Sequence, residues 1–228
     1  MITLHYLNNS RAQRILWLLE ELGLEYDVKT YNRNPITIMA PASLRKIHAL
    51  GKSPVITDDK TGVTLAESGA IIEYLIDTYA NGQFKPKKDD AAYWDYVYWM
   101  HYAEGSLMPP LLVSLVITKM REAKMPFFIK PVAKMLTTKV MAAFVSPNVQ
   151  NHMSFIDAHL AKHEWFAGDQ FSAADVQMSF PLEASVSRGI AASYPNICAY
   201  VKRFQARAAY QKALNNGTDY AYATKQAA

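Results

Sequence analysis

Three short stretches of the chain combine polar residues in a way that supports chemistry. The first is Asn8-Asn9-Ser10, a turn cluster just before an apolar helical run. The start of a helix favours negative charge, so a thiol held beside Ser10 would have a lowered pKa and be a better nucleophile. Ser10 would donate a hydrogen bond to that thiolate and would not itself attack. As a serine before a helix it is equally suited to capping. The second stretch is Gly51-Lys52-Ser53-Pro54, where a proline opens a strand. The third is Leu65-Ala66-Glu67-Ser68. Ser68 opens a helix whose free N–H groups can hold a carboxylate, and Glu67 can take an ammonium. Together they suit the zwitterionic head of an amino acid, although an ordinary cap beside an exposed glutamate has the same sequence.

Specific elements must bring these stretches together. Residues 2–7 alternate as a strand does. Ile15, Leu18, Leu19 and Leu22 recur at helical spacing, and Gly23 ends that helix. Residues 26–31 read as a second strand, and strand–helix–strand implies a parallel crossover. A short helix over 43–47 follows. Then come a strand from Pro54 and a turn over 58–62 leading into Val63-Thr64-Leu65-Ala66, which is a hairpin. A helix over 69–79 closes the unit. This order describes a four-stranded, mixed, thioredoxin-like α/β layer over residues 1–79. In such a layer the Ser53–Pro54 bond is often cis, which turns the Ser53 main chain toward an extended peptide.

Residues 80–88 are polar, contain glycine and proline, and read as a linker. Residues 89–228 read as an all-helical domain. Its first helix starts near Asp89, and Pro109 and Pro110 are expected to kink or restart it. Val149, Met153, Ile156 and Leu160 mark another helix. Phe171-Ser172-Ala173-Ala174-Asp175-Val176 carries the signature of a capping box, with Phe171 stapling to Val176. A last helix is expected over 197–209, followed by a loosely ordered tail from Asn215.

Composition narrows the function. Half of the 228 residues are hydrophobic and 19% are charged, which allows a buried core. The net charge of +4 is too mild to argue for nucleic acid. The best apolar run, residues 108–117, is too short to span a bilayer, and the N-terminus lacks the pattern of a signal peptide. Neither nucleic acid nor membrane is expected as a partner, and the location expected is cytoplasmic. Cys198 is the only cysteine, so no disulfide framework, CxxC pair or cysteine zinc site is present. His159 and His163 are four apart, but only Asp157 lies near them in sequence, and no metal is expected.

The stretch Asn8-Asn9-Ser10-Arg11-Ala12-Gln13-Arg14-Ile15-Leu16-Trp17-Leu18-Leu19-Glu20-Glu21-Leu22, followed in register by Gly51-Lys52-Ser53-Pro54, Leu65-Ala66-Glu67-Ser68 and Phe171-Ser172-Ala173-Ala174-Asp175, resembles the cytosolic glutathione S-transferase family. The likeness is to its bacterial and fungal branch, which has a serine at the first helix. It extends over nearly the whole chain.

The resemblance implies a set of roles. Ser10 would hydrogen-bond the glutathione thiolate. The Ser53 main chain, beside a cis Pro54, would pair with the cysteinyl unit. Glu67 and Ser68 would hold the γ-glutamyl end, and Lys52 the glycine carboxylate. Arg11 is a further candidate for the tripeptide, and Tyr6 and Asn9 are rivals to Ser10 at the thiol. Tyr102, Glu104, Leu107, Met108 and Leu112 would wall the second-substrate pocket, or else pack in the core. Ser53 departs from the valine common before this proline, and Ala49 from a common proline. The implied activity is conjugation of glutathione, as co-substrate, to a small and largely apolar electrophile by a homodimer, with hydroperoxide reduction as a side activity. The alternative is a non-catalytic binding or regulatory module of the same fold. A disulfide reductase is disfavoured because position 10 holds no cysteine.

Overall fold

The computed structural model describes residues 1–37, 39–218 and 220–223. Strand β1 (Ile2–Leu7), helix α1 (Ala12–Glu21) and strand β2 (Tyr26–Tyr31) form the parallel crossover. A 3₁₀ turn spans Ala42–Lys46. Strands β3 (Val55–Asp58) and β4 (Val63–Ala66) form the hairpin, and α2 (Ser68–Tyr79) closes the unit. The sheet order is β2-β1-β3-β4, with β3 antiparallel to both neighbours. Alternation in β1 divides the interior. Ile2, Leu4 and Tyr6 join the main core with Ile15, Leu18, Ile71 and Leu75, whereas Leu7 packs with Tyr31 and Leu44 in a small separate cluster. This is a thioredoxin-like layer, and the rest of the chain is a helical domain.

That domain contains α3 (Tyr93–Tyr102), α4 (Met108–Glu122), α5 (Lys130–Val140), α6 (Ser146–Leu160), α7 (Ala173–Ser187), α8 (Pro195–Gln205) and α9 (Ala208–Asn216). Helix α3 starts at Tyr93, not near Asp89. The Lys87 N–H donates to the Asp90 carboxylate and the Tyr93 N–H to the Asp90 carbonyl, which holds the intervening residues in a turn. Pro109 and Pro110 fall where a new helix starts, as expected. A π-helical turn, Ala103–Leu107, leads directly into α4, whose first turn contains both prolines. Proline lacks the N–H that a first turn leaves unused, and a π turn absorbs the ring. The same device joins α5 to α6 through Met141–Val145.

The capping box of α7 is formed as expected. The Ser172 N–H donates to the Asp175 carboxylate at 2.8 Å. Phe171 packs its ring on Trp17, Phe84 and Trp165, at 5.2–5.6 Å between centroids. The expected last helix is two helices. Arg207 between them is extended, its guanidinium donating to both oxygens of Glu21 and lying 4.1 Å from the Phe171 ring centre. The segment beyond Asn215 is pinned where it is described. Tyr220 is buried and donates to Glu183, and the Ala221 N–H donates to the Asn9 side chain at 2.8 Å. Residues 224–228 lie outside the described residues. Among the described residues no helix is long and apolar enough to cross a membrane.

Candidate active site

The register His5↔Val55 and Val55↔Ala66 places the end of β1, the start of β3 and the end of β4 at the same end of the sheet. A cleft of 290 Å³ opens there. Its sheet side is formed by Lys52, Ser53 and Pro54 before β3 and by Ala66, Glu67 and Ser68 between β4 and α2. Its helical side is formed by Glu104 and Leu112, with Arg11, His48 and Leu50 completing the rim. Five of the predicted glutathione-binding residues therefore share one cavity.

Local chemistry explains each position. The Ser53–Pro54 peptide is cis. The Ser53 Oγ accepts from the Leu7 N–H at 3.0 Å and donates to the His5 carbonyl at 2.9 Å. A hydroxyl at 53 thus extends the β1–β3 pairing beyond Val55, which valine could not do. Glu67 has φ +72°, a backbone conformation that side chains other than glycine's adopt at a cost of roughly 1–3 kcal/mol. Its carbonyl accepts the Ile71 N–H and starts α2, and its side chain is exposed. Ser68 is the first residue of α2, is 2% exposed and lines the cleft, which brings the start of that helix, with its unpaired N–H groups, to the cleft wall.

Ser10 lies at the end of the β1–α1 connection and is 4% exposed. Its Oγ accepts from the Ala12 N–H at 3.1 Å, so it does cap α1. That bond uses a lone pair and leaves the hydroxyl proton free to donate. Ser10 is not itself a wall of the cleft, but its neighbour Arg11 is. Tyr6 is fully buried, its hydroxyl donates to Gln13 Oε1 at 2.8 Å, and it does not line the cleft. Asn9 has a left-handed backbone, and its side-chain oxygen is occupied by Ala221.

The second-substrate wall differs from the sequence expectation. Leu112 lines the cleft and is 52% exposed. Tyr102 and Leu107 are core residues, with the Tyr102 hydroxyl bonded to His152 Nδ1. Met108 is half-buried against that core. Tyr102 and Leu107 flank the π turn on its buried side, whereas Glu104 within it faces the cleft. Glu104 is a charged clasp and not an apolar wall. Both its oxygens accept from Arg11 Nε, at 2.9 and 3.0 Å, and Oε1 also accepts from Arg14 Nη2 at 2.5 Å. Burial alone would raise the Glu104 pKa, but the Arg14 and Arg11 charges and hydrogen bonds outweigh it and hold the carboxyl below its usual range.

Arg14 was not expected in this role. Its side chain is fully buried and also donates to the Gln177 carbonyl and side-chain oxygen at 2.7 and 2.6 Å. The signal was a cation inside the apolar run Ala12 to Leu19. His159 and His163 stack on each other, and His159 Nε2 meets the Phe166 carbonyl at 3.2 Å. Among the described residues no cluster of His, Cys, Asp and Glu could hold a metal ion.

The fold and cleft define a class: a thioredoxin-like domain whose peptide-binding end is covered by a helical domain. The comparisons with known proteins narrow that class. Residues 10–78 match the family model for the glutathione S-transferase N-terminal domain, and residues 116–208 match that for the C-terminal domain. The chain is 41% identical over 186 residues to glutathione S-transferase 3 of Schizosaccharomyces pombe, covering 81% of this chain and 74% of that protein. It is 36% identical to glutathione S-transferase 1 of Saccharomyces cerevisiae, covering 92% of each. A crystal structure of a glutathione S-transferase from Actinobacillus pleuropneumoniae superposes with a TM-score of 0.78 at 34% identity, covering 95% of this chain and 93% of that one. The chain belongs to the glutathione S-transferase family.

Proposed function

We propose that this glutathione transferase binds glutathione along the cleft and presents its sulfur beside Ser10. The γ-glutamyl carboxylate is received by the Ser68 hydroxyl and the N-terminus of α2, and its ammonium by Glu67. The Ser53 main chain pairs with the cysteinyl unit beside the cis Pro54, and Lys52 meets the glycine carboxylate. The Ser10 hydroxyl, already accepting from Ala12, donates to the thiolate. The thiolate then attacks a small, largely apolar electrophile entering past Leu112. Catalysis comes from lowering the thiol pKa and from holding both reactants together.

The observation that carries this reading is the convergence of Lys52, Ser53, Pro54, Glu67 and Ser68 on one cleft, with Glu67 held at positive φ. Backbone strain maintained at a charged, exposed residue is typical of a ligand clamp. The same thiolate would reduce organic hydroperoxides, with two glutathiones yielding the disulfide, an alcohol and water. The family resemblance supports a two-domain division at residues 1–79, 80–88 and 89–228, a homodimer, and a cytoplasmic location. The deciding experiment is retention on immobilised glutathione followed by a panel of electrophiles and peroxides. Retention with turnover is expected. Retention without turnover on any substrate would favour a binding module.

A further inference from the structure

The chain's positive charge is concentrated in one place. Residues 119–139 carry Lys119, Arg121, Lys124, Lys130, Lys134 and Lys139 against Glu122 alone, a net +5 within a chain whose total is +4. The remainder of the protein therefore has a net charge of −1. This segment is the end of α4, the connection 123–129 and most of α5. Arg121 ties the two helices together, donating to Thr137 and Thr138 at 2.9 and 3.1 Å, and Lys119 pairs with Glu122. Lys124, Lys130, Lys134 and Lys139 are exposed.

The same segment is unusually apolar on its surface. Phe127 is 82% exposed and Phe128 66%, side by side in the connection. Along α5, Val132, Leu136 and Val140 are exposed four residues apart and so form one row. Lys130 and Lys134 form a parallel row on the same helix. Exposed phenylalanines framed by lysines with long aliphatic stems are the composition of a helix that lies in a lipid interface. A second copy of the patch would oppose +5 with +5, whereas an anionic bilayer satisfies both the charge and the apolar area.

We propose that the α4–α5 hairpin is a docking surface for an anionic lipid bilayer, with Phe127 and Phe128 entering the acyl boundary and Lys124, Lys130 and Lys134 at headgroup level. Among the described residues no helix is long and apolar enough to cross a bilayer, so the attachment proposed is to one face. Leu112, Val116 and Met120, exposed four apart on α4, carry the apolar surface from the cleft toward this hairpin. Docking thus places the apolar edge of the cleft on the helix that meets the lipid.

The test is flotation with vesicles of phosphatidylcholine alone and with about a third phosphatidylserine. Wild type is expected to float with the anionic vesicles. Phe127→Ser with Phe128→Ser should lower that partition at least ~tenfold. Lys130→Gln with Lys134→Gln should lower it by roughly fivefold per lysine, on anionic vesicles only. Both variants should conjugate a water-soluble electrophile at the wild-type rate without vesicles, which reports an intact fold and tests the transferase reading separately. Equal wild-type binding to neutral and anionic vesicles, or wild-type flotation by the phenylalanine variant, overturns the proposal. So does a wild-type oligomer that ignores vesicles and dissociates in the phenylalanine variant, because a second copy then covers the face.

Discussion

Ser10→Ala separates two functions that one hydroxyl can perform together. As an acceptor, the Ser10 Oγ holds the Ala12 N–H at the start of α1. Losing a bond of this kind costs about 1 kcal/mol, or roughly 2–4 °C in melting temperature for a chain of this size. As a donor, it would stabilise a thiolate. A hydrogen bond to a charged group is worth about 1.5–3 kcal/mol, and about 1.4 kcal/mol is one pKa unit. The pKa of bound glutathione should therefore rise by about 1–2 units in the variant. Below both pKa values the thiolate fraction, and with it conjugation, falls by roughly ten- to a hundredfold. Above both, the difference closes, because solvent removes the proton in either protein. The assay is thiolate absorbance of the enzyme–glutathione complex against pH, run beside thermal melts of the free enzyme. If the melts differ and the titrations overlay, Ser10 is a helix cap only and the mechanism proposed here is wrong.

Glu67→Gly removes a carboxylate and relieves a positive φ at once, so glutathione affinity should drop by roughly ten- to a hundredfold while stability holds or rises; calorimetry on the same preparation reads both. Glu104→Ala leaves the buried Arg14 with its hydrogen bonds to Gln177 and the Phe180 ring but no charged partner on Glu104, and chemical denaturation should report a loss of roughly 1–3 kcal/mol. Because the Glu104 pKa is depressed in the fold, its contribution is present above the usual 4.5 and fades as pH falls through the folded value; Glu104→Gln should flatten that acid limb. Glu183 behaves in the opposite sense. Burial pushes it up to about 7, so the folded state binds the extra proton and stability declines as pH rises from 4.5 toward 7, a slope that Glu183→Gln should reduce, leaving the part due to Asp175, which burial raises to about 6.

The thioredoxin-like layer was readable because its signals are local. Alternation in β1, Gly23 after α1 at φ +61° and the turn before Val63 each fix an element without reference to distant residues. The convergence of the Lys52–Pro54 and Glu67–Ser68 stretches was readable for the same reason, since strand order alone brings them to one end of the sheet. The helical domain was less so. Its register depends on two π turns, Ala103–Leu107 and Met141–Val145, and a π turn has no residue signature comparable to a capping box. Around one such turn Tyr102 and Leu107 are buried and Glu104 faces the cleft. The break at Arg207 was hidden for a related reason: its cause is a partner, Glu21, that lies far away in sequence.

These long-range partners give the site its mechanical basis. Glu104, on the helical domain, holds Arg11 and Arg14, which flank Ala12 at the start of α1; Arg14 reaches on to Gln177 of α7. At the far end of α1, Glu21 receives Arg207, and Trp17 between them packs on Phe171, Phe204 and Tyr210, each at 5.3 Å. Helix α1 is thus fixed to the helical domain at both ends and in the middle. Ser10 lies two residues before that helix, and its hydroxyl is bonded locally, to the Ala12 N–H. In the proposed mechanism, its position relative to the sulfur would follow from where α1 begins. A surface ion pair contributes little, but Arg14 is buried and Glu104 takes three hydrogen bonds. The clasp therefore acts mainly on geometry: loosening it should move Ser10 relative to Ser53 and lower turnover more than glutathione affinity, which depends on the sheet-end residues.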